Sequence, residues 1–355
     1  MSPEGSRVTK RTIFDRLGPL FARTDVRRTY RFSQPTLHFG ASEYRAIREI
    51  VRSGWVSNGD HVRRLEQHFI DRFGVKYAVA CSNCTQGLII AVRAAGLTGA
   101  RVALPAFTWP STLYSLLLNH CAPVFADIDP ETWLIDLGSV RKRYDAVVAV
   151  DTFGNEAAVR TRVPVIYDAA HGYALPRLGR RGLAEVVSLS FTKLPTAGEG
   201  GMILTNDSAL AREATELRRL SARMLEVAGV IGLNSVAHYE ETYLKKLQVT
   251  ERYRKLLRVG FREQAVPRAS NQSVFAIRLD TPAVRDRIHA ALSDRGFETK
   301  TYYDPLAAGL PNTEYVYNRL LALPTYPQMM GKVRQICDII NRVARGRGMG
   351  DKRAR

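Results

Sequence analysis

No stretch of this 355-residue chain stays apolar over the roughly 20 residues that a membrane-spanning helix needs. The first residues are basic and polar, without the apolar segment of a secretory signal, so the expected address is the cytoplasm. Cysteine is scarce. Cys81, Cys84, Cys121 and Cys337 are too few and too scattered for a disulfide framework, which fits a reducing compartment, and they offer no second close pair, so no metal site is expected. Acidic residues are outnumbered, 34 against 52 Lys and Arg, for a net charge of +18. That balance admits nucleic acid, an anionic surface or an anionic small molecule as partner. Much of the excess lies at the ends, in Arg7–Arg31 and in the Arg/Gly-rich run Arg342–Arg355, and reads as solvated arms rather than as a nucleic-acid surface.

What remains is an ordinary globular composition, 45% hydrophobic and 24% charged, long enough for a large domain with a smaller companion. The expected division is a basic arm over 1–35, a large domain over 36–250, a small C-terminal domain over 251–345 and a disordered basic tail over 346–355. A short amphipathic helix is expected around Ile13–Phe21. Strand-like runs occur at Tyr77–Ala80, Arg101–Leu104, Pro123–Ala126, Ala146–Val150, Pro164–Tyr167, Val186–Phe191 and Met202–Thr205, with another at Ser273–Leu279. Several are apolar on both faces, which predicts a largely parallel sheet covered by helices, an α/β architecture. Helical spacing appears at Ser42–Val51 with Ser42 as cap, and at His61–Phe73, Leu88–Ala95, Ala209–Glu226, Tyr239–Leu257, Val284–Arg295 and Gly331–Ala344.

Ligands of such sheets bind beyond the carboxyl ends of the strands, so the residues just after each strand carry the chemistry. Ser82-Asn83-Cys84-Thr85-Gln86-Gly87 follows the first strand and opens a helix whose first amides suit a phosphate; simple capping by Ser82, Asn83 or Thr85 is the alternative. Trp109, after the second strand, is either a core side chain or a platform for a ligand ring. Asp168 ends another strand with His171 three residues on, and a buried carboxylate there needs a cation, an arginine or a protonated pyridine nitrogen. Ser188-Leu189-Ser190-Phe191-Thr192-Lys193 runs out into a lysine, and Gly198-Glu199-Gly200-Gly201 turns the chain back. Close to other cations, that lysine would have a lowered amine pKa. A phosphate cradle, an aromatic platform, an acid, an imidazole and an amine along one edge fit pyridoxal phosphate. Cys81-Ser82-Asn83-Cys84 also raises a redox motif, set aside for want of a small thioredoxin-like context, although a cysteine at a helix start is expected to be acidic and oxidation-prone.

Gly54-Trp55-Val56-Ser57-Asn58-Gly59, Pro105–Thr112, Asp127–Thr132, Phe153-Gly154-Asn155, Asp168–Gly172 and Ser188–Gly201 together resemble, in order, the blocks of the DegT/StrS sugar-nucleotide aminotransferases, which have the aspartate aminotransferase fold. The resemblance implies a seven-stranded, mostly parallel sheet with a smaller C-terminal α+β domain. It implies Lys193 as the residue that carries the cofactor as a Schiff base, Asp168 on its ring nitrogen, His171 on its 3-hydroxyl and Trp109 stacked on its ring. Its phosphate would be held by Cys84, Thr85, Gln86 and Ser188. It further implies a homodimer in which Asn234 of Gly232-Leu233-Asn234 reaches the partner's cofactor, with glutamate or glutamine as donor and a nucleotide-linked keto-sugar as acceptor. The chain departs from the family by having Val236 and Tyr239 where a basic residue and a glutamate are usual. A cyclic ketone that is not a sugar, or a non-catalytic scaffold with nucleic-acid-binding arms, are the alternatives.

Overall fold

The computed structural model describes residues 30–345, so the helix expected around Ile13–Phe21 and the tail over 346–355 lie outside the described residues. The seven predicted runs form one sheet from β1 (Tyr77–Cys81), β2 (Arg101–Pro105), β3 (Ala122–Ala126), β4 (Ala146–Val150), β5 (Val165–Asp168), β6 (Ala184–Ser188) and β7 (Gly201–Thr205), in the order β1-β7-β6-β5-β4-β2-β3. From β3 to β6 every pairing is parallel; β7 alone runs against its neighbours β6 and β1. Strands such as β4, with all five residues buried, need an apolar cover on both faces. Alternation does the sorting: Val186 and Ile203 pack on one face with Leu88 and Leu104, while Val187, Met202 and Leu204 pack on the other with Leu65 and Phe69.

The helices are α1 (Ala41–Ser53), α2 (Asp60–Phe73), α3 (Cys84–Ala94), α4 (Pro110–Leu117), α5 (Ser208–Ser221), α6 (Glu226–Ala237), α7 (Tyr239–Leu256), α8 (Pro282–Ser293), α9 (Pro311–Tyr317) and α10 (Val333–Ala344). A second, antiparallel sheet of β8 (Phe261–Glu263), β9 (Phe275–Leu279) and β10 (Leu320–Leu323) has the order β10-β9-β8. It shares a core with α8 and α10, where Val333, Ile336, Cys337 and Ile340 repeat at helical spacing toward Ile277, Leu279 and Ile288.

Several boundaries differ from the expectations. Helix α1 is preceded by Gly40, whose amide donates to Glu43 Oε2 at 2.8 Å, so Ser42 is not the cap. Helix α3 begins at Cys84 rather than Leu88, with Asn83 as its cap accepting from the Gln86 amide at 2.8 Å. Strand β6 ends at Ser188, and Leu189–Lys193 leave the sheet in a turn in which the Lys193 amide donates to Ser190 O at 2.9 Å. The helix read over Ala209–Glu226 stops at Ser221. Glu226 instead opens α6, where its carboxylate accepts the amides of Gly59 (2.7 Å), His61 (2.9 Å) and Val62 (3.1 Å) at the start of α2. Behind the sheet, Arg181 is buried between Asp151 and Glu185, donating to Asp151 Oδ1 and Oδ2 at 2.9 and 2.7 Å and to Glu185 Oε2 at 2.9 Å.

Candidate active site

Because β2, β5 and β6 run parallel, their carboxyl ends share one edge, and each delivers a polar side chain there. Asp168 closes β5 and is buried; it accepts the Thr112 hydroxyl at 2.6 Å and the Ala170 amide at 3.1 Å. Thr112 stands on α4, the helix that follows β2, so an element from two strands away orients the carboxylate. Burial pushes the Asp168 carboxyl up, against the pull of those two hydrogen bonds and of Lys193. Two hydrogen bonds and, among the described residues, no paired arginine leave the acid short of a counter-charge.

Lys193 Nζ lies 2.7 Å from His171 Nε2, and His171 Nδ1 lies 2.8 Å from the Ser273 hydroxyl. Burial lowers the Lys193 amine to about 8, although Cys84 and Asp168 oppose the shift. Burial, with Lys193 and Lys246 near, holds His171 well below the usual imidazole range. The neutral ring accepts from one neighbour and donates to the other, so the lysine amine is aimed by a three-member chain ending on the loop before β9.

Among the described residues, the start of α3 leaves backbone donors without partners. The Cys84 and Thr85 amides take no loop partner among the described residues, and the Thr85 hydroxyl is 2.7 Å from Ser111 Oγ. Gly201 allows β7 to lie against this turn: a Cβ there would meet Asn83 C and O at 2.7 Å and Cys84 N at 2.8 Å. Ser188, the last residue of β6, pairs with that glycine. The Cys84 thiol donates to Val186 O at 3.8 Å, and burial beside Asp168 keeps it well above its ordinary range. The expected acidic, oxidation-prone cysteine is therefore not found; apolar packing outweighs the helix start. Gln86 donates its backbone amide to the Asn83 cap.

Trp109 is 48% exposed and meets Tyr303 edge-on, with centroids 6.4 Å apart, so the indole is not a core side chain and keeps a face open. Asn234 is buried on α6, where its amide is bonded on both sides to His38, accepting His38 N and donating to His38 O, each at 3.0 Å. It makes no hydrogen bond to Asp168, His171 or Lys193. Its neighbour Ser235 accepts the Thr196 amide at 3.0 Å and so braces the loop after Lys193.

A cleft opens outward from Lys193 and His171, between the segment 32–36, α7 and the loop 325–327. Sequence reasoning missed three residues here. Thr112 and Ser273 sit within segments already singled out, at strand ends where a hydroxyl can orient a carboxylate or imidazole. Lys246 belongs to a charged helix, and nothing in its spacing marked it.

The family model of DegT/DnrJ/EryC1/StrS aminotransferases matches residues 38–341. A crystal structure of DesI, determined in the presence of its TDP-sugar product, superposes with a TM-score of 0.81 at 29% identity, covering 89% of this chain and 93% of that one. The aminotransferase TlmJ from Streptoalloteichus hindustanus gives 0.80 at 26%, covering 89% and 99%. Helicobacter pylori PseC, an aminotransferase involved in the biosynthesis of pseudoaminic acid, gives 0.80 at 20% with the same coverage and shares the fold. The fold described above is thus a known one, and the chain belongs to the DegT/DnrJ/EryC1/StrS aminotransferase family, whose members are pyridoxal-phosphate-dependent enzymes.

Proposed function

We propose that the protein moves an amino group from glutamate or glutamine to a nucleotide-linked keto-sugar, with Lys193 as the residue that holds the cofactor and shuttles the proton. The observation that carries this is the Lys193–His171 pair at 2.7 Å, facing a cleft at the sheet edge that also holds Asp168. Bound pyridoxal phosphate would supply the electron sink on which transamination depends. Asp168, buried with two hydrogen bonds, would meet the ring nitrogen's positive charge and hold a proton on it. The Cys84 and Thr85 amides, the Thr85 and Ser188 hydroxyls and the Gln86 side chain form the phosphate seat, and Trp109 offers its open face to the ring. Lys193 Nζ, neutral above about pH 8, is fit to take and return a proton, and His171, ordered by Ser273, receives its hydrogen bond. DesI, seen with a TDP-sugar product, favours the sugar-nucleotide acceptor.

The proposal includes a cytoplasmic homodimer and the domain division 36–250 and 251–345. Among the described residues no helix is long and apolar enough to cross a membrane. Tyr44, Val51, Trp55, Val56 and Leu225 are exposed on α1, the loop after it and the start of α6, a run of large apolar side chains that a second copy would cover. Asn234 serves the partner's site in this reading once His38 gives up its amide. The test is a panel of keto-acceptors offered to the enzyme after glutamate has converted its cofactor to the amine form. Nucleotide-linked keto-sugars should restore the aldehyde form; restoration only by free cyclic ketones would overturn the acceptor assignment.

A further inference from the structure

Among the described residues, the cleft beside Lys193 is lined by two lysines and a histidine and by no carboxylate. Its second lysine, Lys246 on α7, is 9% exposed. Its Nζ donates to one group, the Gln272 carbonyl, and Gln272 stands in the left-handed region with φ of 49°. An ammonium carries three donors, so one carbonyl leaves it under-satisfied. No acidic side chain shifts its ionisation; burial alone lowers the Lys246 amine to about 7. Buried cations are ordinarily paired, because an uncompensated one is costly to the fold. Lys193 and the neutral His171 offer no negative charge to offset it, and the hydroxyl-bearing residues that line the cleft, among them Ser33, Thr36, Thr242 and Tyr243, add donors but no charge.

We propose that Lys246 is the anchor of an oxyanion subsite, which takes a carboxylate or phosphate group of the substrate whose reacting end lies at Lys193. The inference rests on the aminotransferase reading and adds to it a specificity-determining residue. Lys246 supplies a cation from α7 and from inside the cleft. An anion seated there completes the two open donors and supplies the counter-charge that the protein itself withholds.

Two sources carry such a group, the carboxylate of the amino donor and the phosphates of a nucleotide-linked acceptor. The experiment uses the pyridoxal-phosphate-loaded enzyme and two unreactive probes, glutarate and thymidine diphosphate, titrated by calorimetry into the wild type, Lys246→Met and Lys246→Arg. Loss of the charge should weaken one probe by about 10- to 100-fold, the scale of a charge-assisted hydrogen bond, with Lys246→Arg recovering much of it. The weakened probe names the source. Equal binding of both probes to wild type and Lys246→Met would overturn the subsite, as would no binding of either probe to the wild type. Borohydride fixation of the cofactor onto Lys193, measured on each protein, separates the readings. If fixation occurs and the probes ignore Lys246, only the subsite falls; if the wild type shows no fixation, the aminotransferase reading falls with it.

Discussion

Replacing Lys246 by methionine should stabilise the protein at neutral pH. Lys246 ionises near 7 in the fold, against 10.5 for an ordinary lysine. As pH falls, the unfolded chain takes up this proton near 10.5, while the folded chain delays until about 7, so the destabilisation grows across that window and is constant below it. At about 1.4 kcal/mol for each pH unit of the gap, the upper limit is roughly 5 kcal/mol. Methionine fills a similar volume without charge but leaves the Gln272 carbonyl unpaired, which returns about 1 kcal/mol. A net gain of roughly 3 kcal/mol at pH 7 is therefore expected, shrinking to within about 1 kcal/mol of zero by pH 10. Urea unfolding of both proteins at pH 7, 8.5 and 10, with unchanged slopes, measures it directly. A variant less stable than wild type by the same amount at all three values would show that the lysine is a satisfied structural cation and refute the reasoning.

Gly201→Ala places a methyl against Asn83 and Cys84 backbone at 2.7–2.8 Å, so about 1–3 kcal/mol of stability and most cofactor affinity should be lost, read by denaturant midpoint and by cofactor titration. Arg181→Ala leaves Asp151 and Glu185 buried without their cation and should cost about 3–5 kcal/mol in the same unfolding assay, with a steeper loss as pH rises. Since only the neutral amine attacks an aldehyde, the rate at which the stripped enzyme captures pyridoxal phosphate should climb with pH and level off near 8 instead of near 10.5, followed in a stopped-flow spectrometer.

Much of this architecture was legible because its causes are local. The seven runs of Val, Ile, Ala and Leu demanded cover on both faces, and the chemistry-bearing residues follow directly from where those strands end. Helix α6 was not legible. It packs against both α1 and α2 and so carries no amphipathic stripe, and Gly229 and Gly232 lower its helix propensity. In the fold they are contact points: a Cβ at Gly229 would meet His61 C at 2.9 Å, and one at Gly232 would meet Leu65 Cδ2 at 2.7 Å. Strand β6 was read two residues late and three too long, because Leu189 and Phe191 continue its apolar character after its ladder has ended. Cys84 was misjudged because helix position is visible in sequence and burial beside Asp168 is not. Lys246 was missed for the same reason: its significance lies in which charges are absent around it in space.

The account stands on Lys193 as the residue that takes the cofactor. The most direct measurement is the absorbance spectrum of the protein reconstituted with pyridoxal phosphate, before and after L-glutamate, followed by borohydride reduction and peptide mapping. The account predicts a visible band that glutamate bleaches and that reduction, in its absence, fixes to Lys193, with no such band in Lys193→Ala. A band fixed to another lysine, Lys246 included, or full amino transfer by Lys193→Ala, would contradict it.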